Sequence, residues 1–359
     1  MMKGRVRRLR LAVLGAALVC SAVGAALLPA AAVAVDGPEW QHALWIAAEL
    51  RAEPPDGSVA LLLGGSCARE ATVNDGGWAA DVQRLGGGQA ETYNLGSRLQ
   101  TFEQDVALVE SLPKVPMVIY IGINAGRFAS AFTTTTDTAP PATEPSFVRH
   151  HYHSSRIWTP ERKQQRVRYW LDHRQAIFDD RYAAHLAQLD RLIVACVRRG
   201  YLPVVLALPR NIVAMDHALD GPTDRYLADS RRLAQEHGVA FLDFVPDLQL
   251  SDDDFYDLDH LVEPGRVVYQ ARLAEETARL FAADLPALRA GTETAGTGSA
   301  QSGGARPATQ DRGGTVLWLA ALGIVLAGFT LAALRRLAVV RRRRSHRRRR
   351  SGSRVREGA

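Results

Sequence analysis

Apolar positions fall into short runs closed by small or turn-forming residues: SVALLLGG (58–65), ETYNLG (91–96), MVIYIGIN (117–124), LPVVLALP (202–209) and VAFLDF (239–244). Runs of that length predict strands buried on both faces. Between them the spacing turns helical, in EWQHALWIAAELRA (39–52), TFEQDVALVESL (101–112), DRYAAHLAQLDRLIVACVRRG (180–200) and TDRYLADSRRLAQEHG (223–238). A last helical stretch, PGRVVYQARLAEETARLFAADL (264–285), follows the fifth run. Such alternation predicts an α/β fold with a parallel sheet covered by helices on both faces, its functional groups at the carboxyl ends of the strands. Residues 129–175 break the pattern, with a Thr/Pro-rich first half and a second half mixing His, Arg, Trp and Tyr. They are expected to be an insertion between the third and fourth strands. It is either a lid over substrate or a segment packed on the domain.

Two longer uncharged runs lie outside this alternation. Residues 11–35 follow a decapeptide carrying Lys3, Arg5, Arg7, Arg8 and Arg10. Their length exceeds the roughly 7–15 residues of a cleaved signal, while Ala32-Val33-Ala34 resembles a cleavage site, so signal peptide and signal anchor both fit. Residues 315–334 end in Arg335-Arg336 and the RRRRSHRRRR block, the pattern of a transmembrane helix with a cytoplasmic tail. The expected organisation is a basic N-terminus with its apolar segment (1–36), an outer domain (37–286), a Gly/Ala/Ser/Thr-rich flexible linker (287–314), a membrane helix (315–334) and an arginine-rich tail (335–359). The domain is expected to be extracytoplasmic. The chain would meet the membrane through one or two helices, its tail touching anionic lipid headgroups.

Charge sharpens this division. The chain carries a formal +6, yet removing residues 1–10 and the tail from Arg335 leaves −10 between them. An acidic domain argues against nucleic acid as a partner. Cys20, Cys67 and Cys196 have no short metal-type spacing, so neither a disulfide framework nor a metal or other cofactor is expected.

The residues that could carry chemistry stand at the ends of the runs: Ser66 after the first, Gly96 closing the second, Asn124 closing the third, and Asp257-Leu258-Asp259-His260 before the last helix. A serine hydroxyl needs a base within hydrogen-bond reach, and the base needs a carboxylate to fix its tautomer. An Asp-x-x-His turn supplies both, with Asp257 orienting His260 toward Ser66. The backbone N–H groups of Ser66 and Gly96 and the Asn124 amide would donate to an oxyanion.

Read in order, GGS (64–66), NLG (94–96), GIN (122–124) and DLDH (257–260) resemble the four blocks of the SGNH, or GDSL-type, hydrolase family. The resemblance spans nearly the whole outer domain. It implies a flavodoxin-like three-layer α/β/α fold with about five parallel strands, Ser66, His260 and Asp257 as catalytic residues, and an oxyanion hole of Ser66, Gly96 and Asn124. It implies a serine esterase acting on an ester, with an O-acyl or O-acetyl group of an envelope or extracellular carbohydrate as the expected substrate. An O-acyltransferase and a catalytically silent glycan-binding module are the alternatives. Two positions depart from the family pattern: Gly65 stands where Asp is usual, and Glu70 where glycine is frequent.

Other readings compete at single positions. Cys67 adjoins the serine and could act as a thiolate, or simply pack. Asp259 could replace Asp257, although adjacent side chains are expected to diverge, and Asp252, Asp253 and Asp254 read as solvated loop acids. His150, His151 and His153 form either a metal cluster or a surface loop. Arg69, Arg98 and Arg127 each follow a block and border the cleft or face solvent.

Overall fold

In the computed structural model, residues 37–132, 136–146 and 149–297 are described. The expected segments 1–36 and 315–334, the tail and the greater part of the linker lie outside them. Among the described residues no helix is long and apolar enough to cross a membrane.

The chain opens with α1 (Pro38–Ala52) and enters β1 (Ser58–Leu63), followed by the short α2 (Ser66–Arg69), α3 (Asp75–Arg84) and β2 (Ala90–Asn94). Then come α4 (Phe102–Ser111), β3 (Val118–Ile123) and α5 (Ala125–Phe128). A long crossover carries α6 (Pro160–Tyr169), a π turn (Trp170–Arg174) and α7 (Gln175–Arg198) into β4 (Leu202–Ala207). The remainder is α8 (Ile212–Met215), α9 (Asp220–Glu236), β5 (Ala240–Asp243) and α10 (Glu263–Thr297).

All five strands are parallel and lie in the order β2-β1-β3-β4-β5. The order reverses between β1 and β3, so the crevice at their carboxyl ends is where a doubly wound sheet binds ligands. Ser66 and Asn124 follow those two strands directly.

Burial on both faces explains the unbroken apolar runs of β1, β3 and β4, whereas the edge strands β2 and β5 are only partly buried, contrary to the expectation for all five. Leu61, Leu63, Ile119 and Ile121 face one core with Trp40, Leu189 and Tyr226, whereas Leu62, Val118 and Tyr120 face the other with Trp78, Tyr269 and Phe281. The alternation is the two-residue period of a pleated strand. Each such side chain, fully buried, contributes about 1.5–3 kcal/mol.

Four features differ from expectation. The segment DGGWAADVQR forms α3, since Asn74 caps it by accepting from Gly77 N at 2.6 Å and Trp78 anchors it in the core. No element was expected over this segment, and the cap overrides the low helix propensity of Gly76 and Gly77. The second half of the insertion is helical from Pro160, capped by Thr159, and runs through the π turn into α7. Its few apolar residues, Val167 and Trp170 among them, suffice to seat it. The last helix continues to Thr297, past the expected linker start at residue 287. Asp252 is no free loop acid: Nζ of the fully buried Lys163 donates to its carboxylate and its carbonyl, both at 2.7 Å.

Candidate active site

β1 ends at Leu63, and Gly64 turns the chain with φ +148°, a conformation L side chains avoid. An added Cβ there would also lie 2.9 Å from the Ala68 methyl. Gly65 is different: its φ is −76° and an added Cβ would meet nothing within 4 Å. Glycine in place of the usual Asp is therefore not imposed by space or backbone. The turn delivers Ser66 to the first position of α2.

His260 reaches Ser66 from the opposite side of the crevice, with Nε2 2.8 Å from Ser66 Oγ. Its Nδ1 lies 2.9 and 3.1 Å from the two carboxylate oxygens of Asp257, which also accepts the backbone N–H groups of Asp259 and His260 at 3.2 and 3.1 Å. Asn211 pins this loop from below, its Nδ2 donating to Asp257 O at 3.1 Å and to Asp252 Oδ1 at 2.7 Å. Asn211 carried no signal in the sequence, being one polar residue after a strand.

Asp259 does not diverge from its neighbour. One of its oxygens lies 3.1 Å from His260 Nδ1, and the other accepts from Asn124 Nδ2 at 3.0 Å. Burial raises a carboxyl, but the charge and bonding of His260 outweigh it and hold Asp259 at about 2. Burial likewise opposes charge on the imidazole; the negative charges of Asp257 and Asp259 outweigh that, and His260 stands well above its ordinary value. Asp257 makes the aligned hydrogen bonds and Asp259 adds a second negative charge.

The expected three-donor oxyanion hole is not assembled in this arrangement. Gly96 N–H donates to Asn94 Oδ1 at 3.0 Å. Asn124 Nδ2 donates to Asp259 and, at 2.8 Å, to Cys67 Sγ. Asp259 competes for the Asn124 amide, while the Gly96 N–H is taken by Asn94. Gly96 has a packing reason to be glycine, because an added Cβ would lie 2.6 Å from Arg69 N. Asn94 binds the same turn from below, donating to Ala68 O at 2.7 Å and Thr72 Oγ1 at 2.9 Å.

Cys67 Sγ is 3.9 Å from His260 Nε2, yet burial, with Asp259 adding to it, pushes its thiol up to about 12. It is held protonated and inert. Ligand atoms of Cys67, Asp259 and His260 lie within 4.8 Å of one another, the spacing of a cation site. A metal there would have to displace that firmly held proton and take His260 from Ser66.

His150 and His151 do not form a metal cluster with His153; they are tethers. Glu70, fully buried, receives Arg69 Nη2 at 3.1 Å, Arg266 Nη2 at 2.6 Å and His151 N at 3.2 Å. His150 Nδ1 lies 3.3 Å from Glu70 Oε2 without hydrogen-bond alignment. Arg69 also binds Glu39. Arg266 Nη2 donates to Tyr152 O at 2.7 Å, and the Tyr152 ring stacks on Tyr256 at 4.0 Å and meets the His260 ring edge-on at 5.0 Å. The departure at position 70 thus fastens the insertion against the histidine.

Ser66 and His260 open into a cleft of about 490 Å³ whose walls include Tyr152, Trp158, Arg98, Arg166 and Arg174. Of the arginines singled out in the sequence, Arg69 and Arg127 line the cleft but are neutralised, Arg127 by Asp105 at 2.6 Å. A smaller pocket of about 70 Å³, walled by Trp170, Met215, Leu219 and Leu258, shares Asn124, Asp259, Arg166 and Arg174 with the cleft.

No family model and no curated protein matches the chain. Solved structures similar to it include the following three. They are a lipase/acylhydrolase from Enterococcus faecalis (12% identity, 62% of this chain and 95% of that one, TM-score 0.35), a catalytic mutant of an acetylxylan esterase from Geobacillus stearothermophilus (15%, 61% and 94%, 0.38) and a phospholipase A1 from Streptomyces albidoflavus (11%, 62% and 99%, 0.36).

Proposed function

We propose that the chain is a serine esterase of the SGNH type. One observation carries this reading: an unbroken hydrogen-bonded line from Ser66 Oγ through His260 to Asp257, at 2.8 and 2.9 Å, open to a cleft at the carboxyl edge of the sheet. Neutral His260 takes the proton as Ser66 Oγ attacks the ester carbonyl. The tetrahedral intermediate collapses, His260 returns the proton to the departing alkoxide, and an acyl-serine remains. Water then repeats the sequence and releases the carboxylic acid.

Ser66 N–H, at the first helical position, has no acceptor among the described residues and is free for the oxyanion. Service by Asn124 requires its amide to leave Asp259. The small size of the pocket beside Asn124 supports a short acyl group such as acetyl, and the Tyr152, Tyr256 and Trp158 rings support a carbohydrate carrier. The uncharged runs at 11–35 and 315–334 support a membrane-held enzyme facing outward, its arginine tail on anionic headgroups.

The test is turnover of 4-nitrophenyl acetate together with labelling by a fluorophosphonate. Wild-type chain is expected to do both and Ser66→Ala neither; retained turnover by Ser66→Ala overturns the mechanism. The occupied Gly96 and Asn124 donors favour a second reading, a silent glycan-binding module. Glycan binding without labelling of Ser66 would establish that one instead.

A further inference from the structure

The cleft wall holds more positive charge than its own acids neutralise. Asp257 is committed to His260, and Asp259 to His260 and Asn124. Arg69 and Arg127 are matched by Glu39, Glu70 and Asp105. Three guanidinium groups remain. Arg98 is exposed, on the loop where Leu99 adopts φ +62°, and has no hydrogen bond or ion pair among the described residues. Arg166 is half-buried, lies 5.0 Å from the centre of the Tyr169 ring and is near enough to Asp259 for its charge to help hold that carboxyl down, but makes no ion pair within 4 Å among the described residues. Arg174, also half-buried, uses one donor on Ala129 O at 3.2 Å and keeps the others.

Arg166 and Arg174 stand two turns apart, with Trp170 between them, where α6 passes into the π turn. Both line the catalytic cleft and the small pocket beside it. A π turn inside a helix is uncommon and concentrates at functional sites. Here it accompanies two under-used guanidinium groups at one wall, in a chain whose central region is acidic. A guanidinium fork matches the paired oxygens of a carboxylate or phosphate, and a cleft of one sign draws in the opposite charge.

Resting on the esterase reading, we propose that the substrate carries an anionic group, a carboxylate or a phosphate, seated on Arg166 and Arg174, with Arg98 guiding it at the mouth. The anion belongs to the ester itself, on its acyl part or its alcohol part.

The experiment compares matched esters with the full chain: O-acetyl methyl glucuronoside against O-acetyl methyl glucoside, acetyl glycerol phosphate against acetyl glycerol, and the mono-4-nitrophenyl ester of succinate against 4-nitrophenyl butyrate. At least one anionic member is expected to show a tenfold or greater advantage in kcat/KM, falling as salt is raised. The favoured pair identifies the source. Arg166→Gln and Arg174→Gln are expected to collapse that ratio about tenfold each. Equal kcat/KM within every pair, with ester turnover and fluorophosphonate labelling intact, overturns the subsite alone. If no ester turns over and Ser66 is not labelled, the esterase reading fails. The subsite is then decided by calorimetric binding of glucuronate and glycerol phosphate: binding weakened tenfold in the two variants sustains it, and no binding overturns it.

Discussion

Glu70 is the position where this chain departs from the resemblance and where the structure concentrates buried charge, so Glu70→Gln is the most informative substitution. The side chain is fully buried and lies between Arg69 and Arg266, themselves 2% and 3% exposed. Glutamine keeps the shape and one acceptor but removes the charge. Arg69 retains Glu39, whereas Arg266 keeps only the carbonyls of Glu70 and Tyr152. Removing one partner of a buried ion pair costs about 3–5 kcal/mol, and the retained amide oxygen puts the expectation near 3. Against a total stability of about 5–15 kcal/mol that is a large fraction. With a urea slope of about 3 kcal/mol per molar, the midpoint should fall by about 1 M. Burial alone raises the Glu70 carboxyl, but His150, Arg266 and Arg69 outweigh it and hold it below its ordinary 4.5. A depressed carboxyl contributes stability above its unfolded value and loses it as pH falls through the native one. The gap between wild type and variant should therefore narrow in acid. A loss under about 1 kcal/mol, or a gap that does not narrow at all as pH is lowered through the acid range, would refute the assignment of Glu70 as the charged anchor of the insertion.

Because His260 must be neutral to act as base and is held well above its ordinary 6.5, the acidic limb of the kcat/KM profile should lie above that value. Asp259→Asn should move that limb to lower pH; a wild-type limb at or below 6.5 contradicts the electrostatics. Cys67, its thiol pushed up to about 12 by burial, should resist iodoacetamide in the folded protein and react once urea unfolds it, so rapid labelling of the native chain would count against its inertness. Gly96→Ala forces a Cβ to within 2.6 Å of Arg69 N and should cost about 1–3 kcal/mol while disturbing the Ser66 turn, read as a lower Tm and reduced turnover; no change in either would show that the turn yields freely.

The sheet was legible in the sequence because burial on both faces leaves long apolar runs such as VALLL and VIYIGI, and parallel strands need helical crossovers between them. Ser66, His260 and Asp257 were legible because each sits beside a run end or on one short turn, where local spacing carries the geometry. Helix α3 was hidden by Gly76-Gly77, whose low helix propensity is outweighed by the Asn74 cap and the burial of Trp78. What tertiary structure decided depends on side chains far apart in the chain. Glu70 meets Arg266 and His150 only because α10 and the insertion converge on α2, and Asn124 gives its amide to Asp259 although 135 positions separate them. Run lengths and periodicity register which face is buried, a property of neighbouring residues. Which acid takes which donor is set by distances of about 3 Å between remote segments, where a shift of one ångström reassigns the partner.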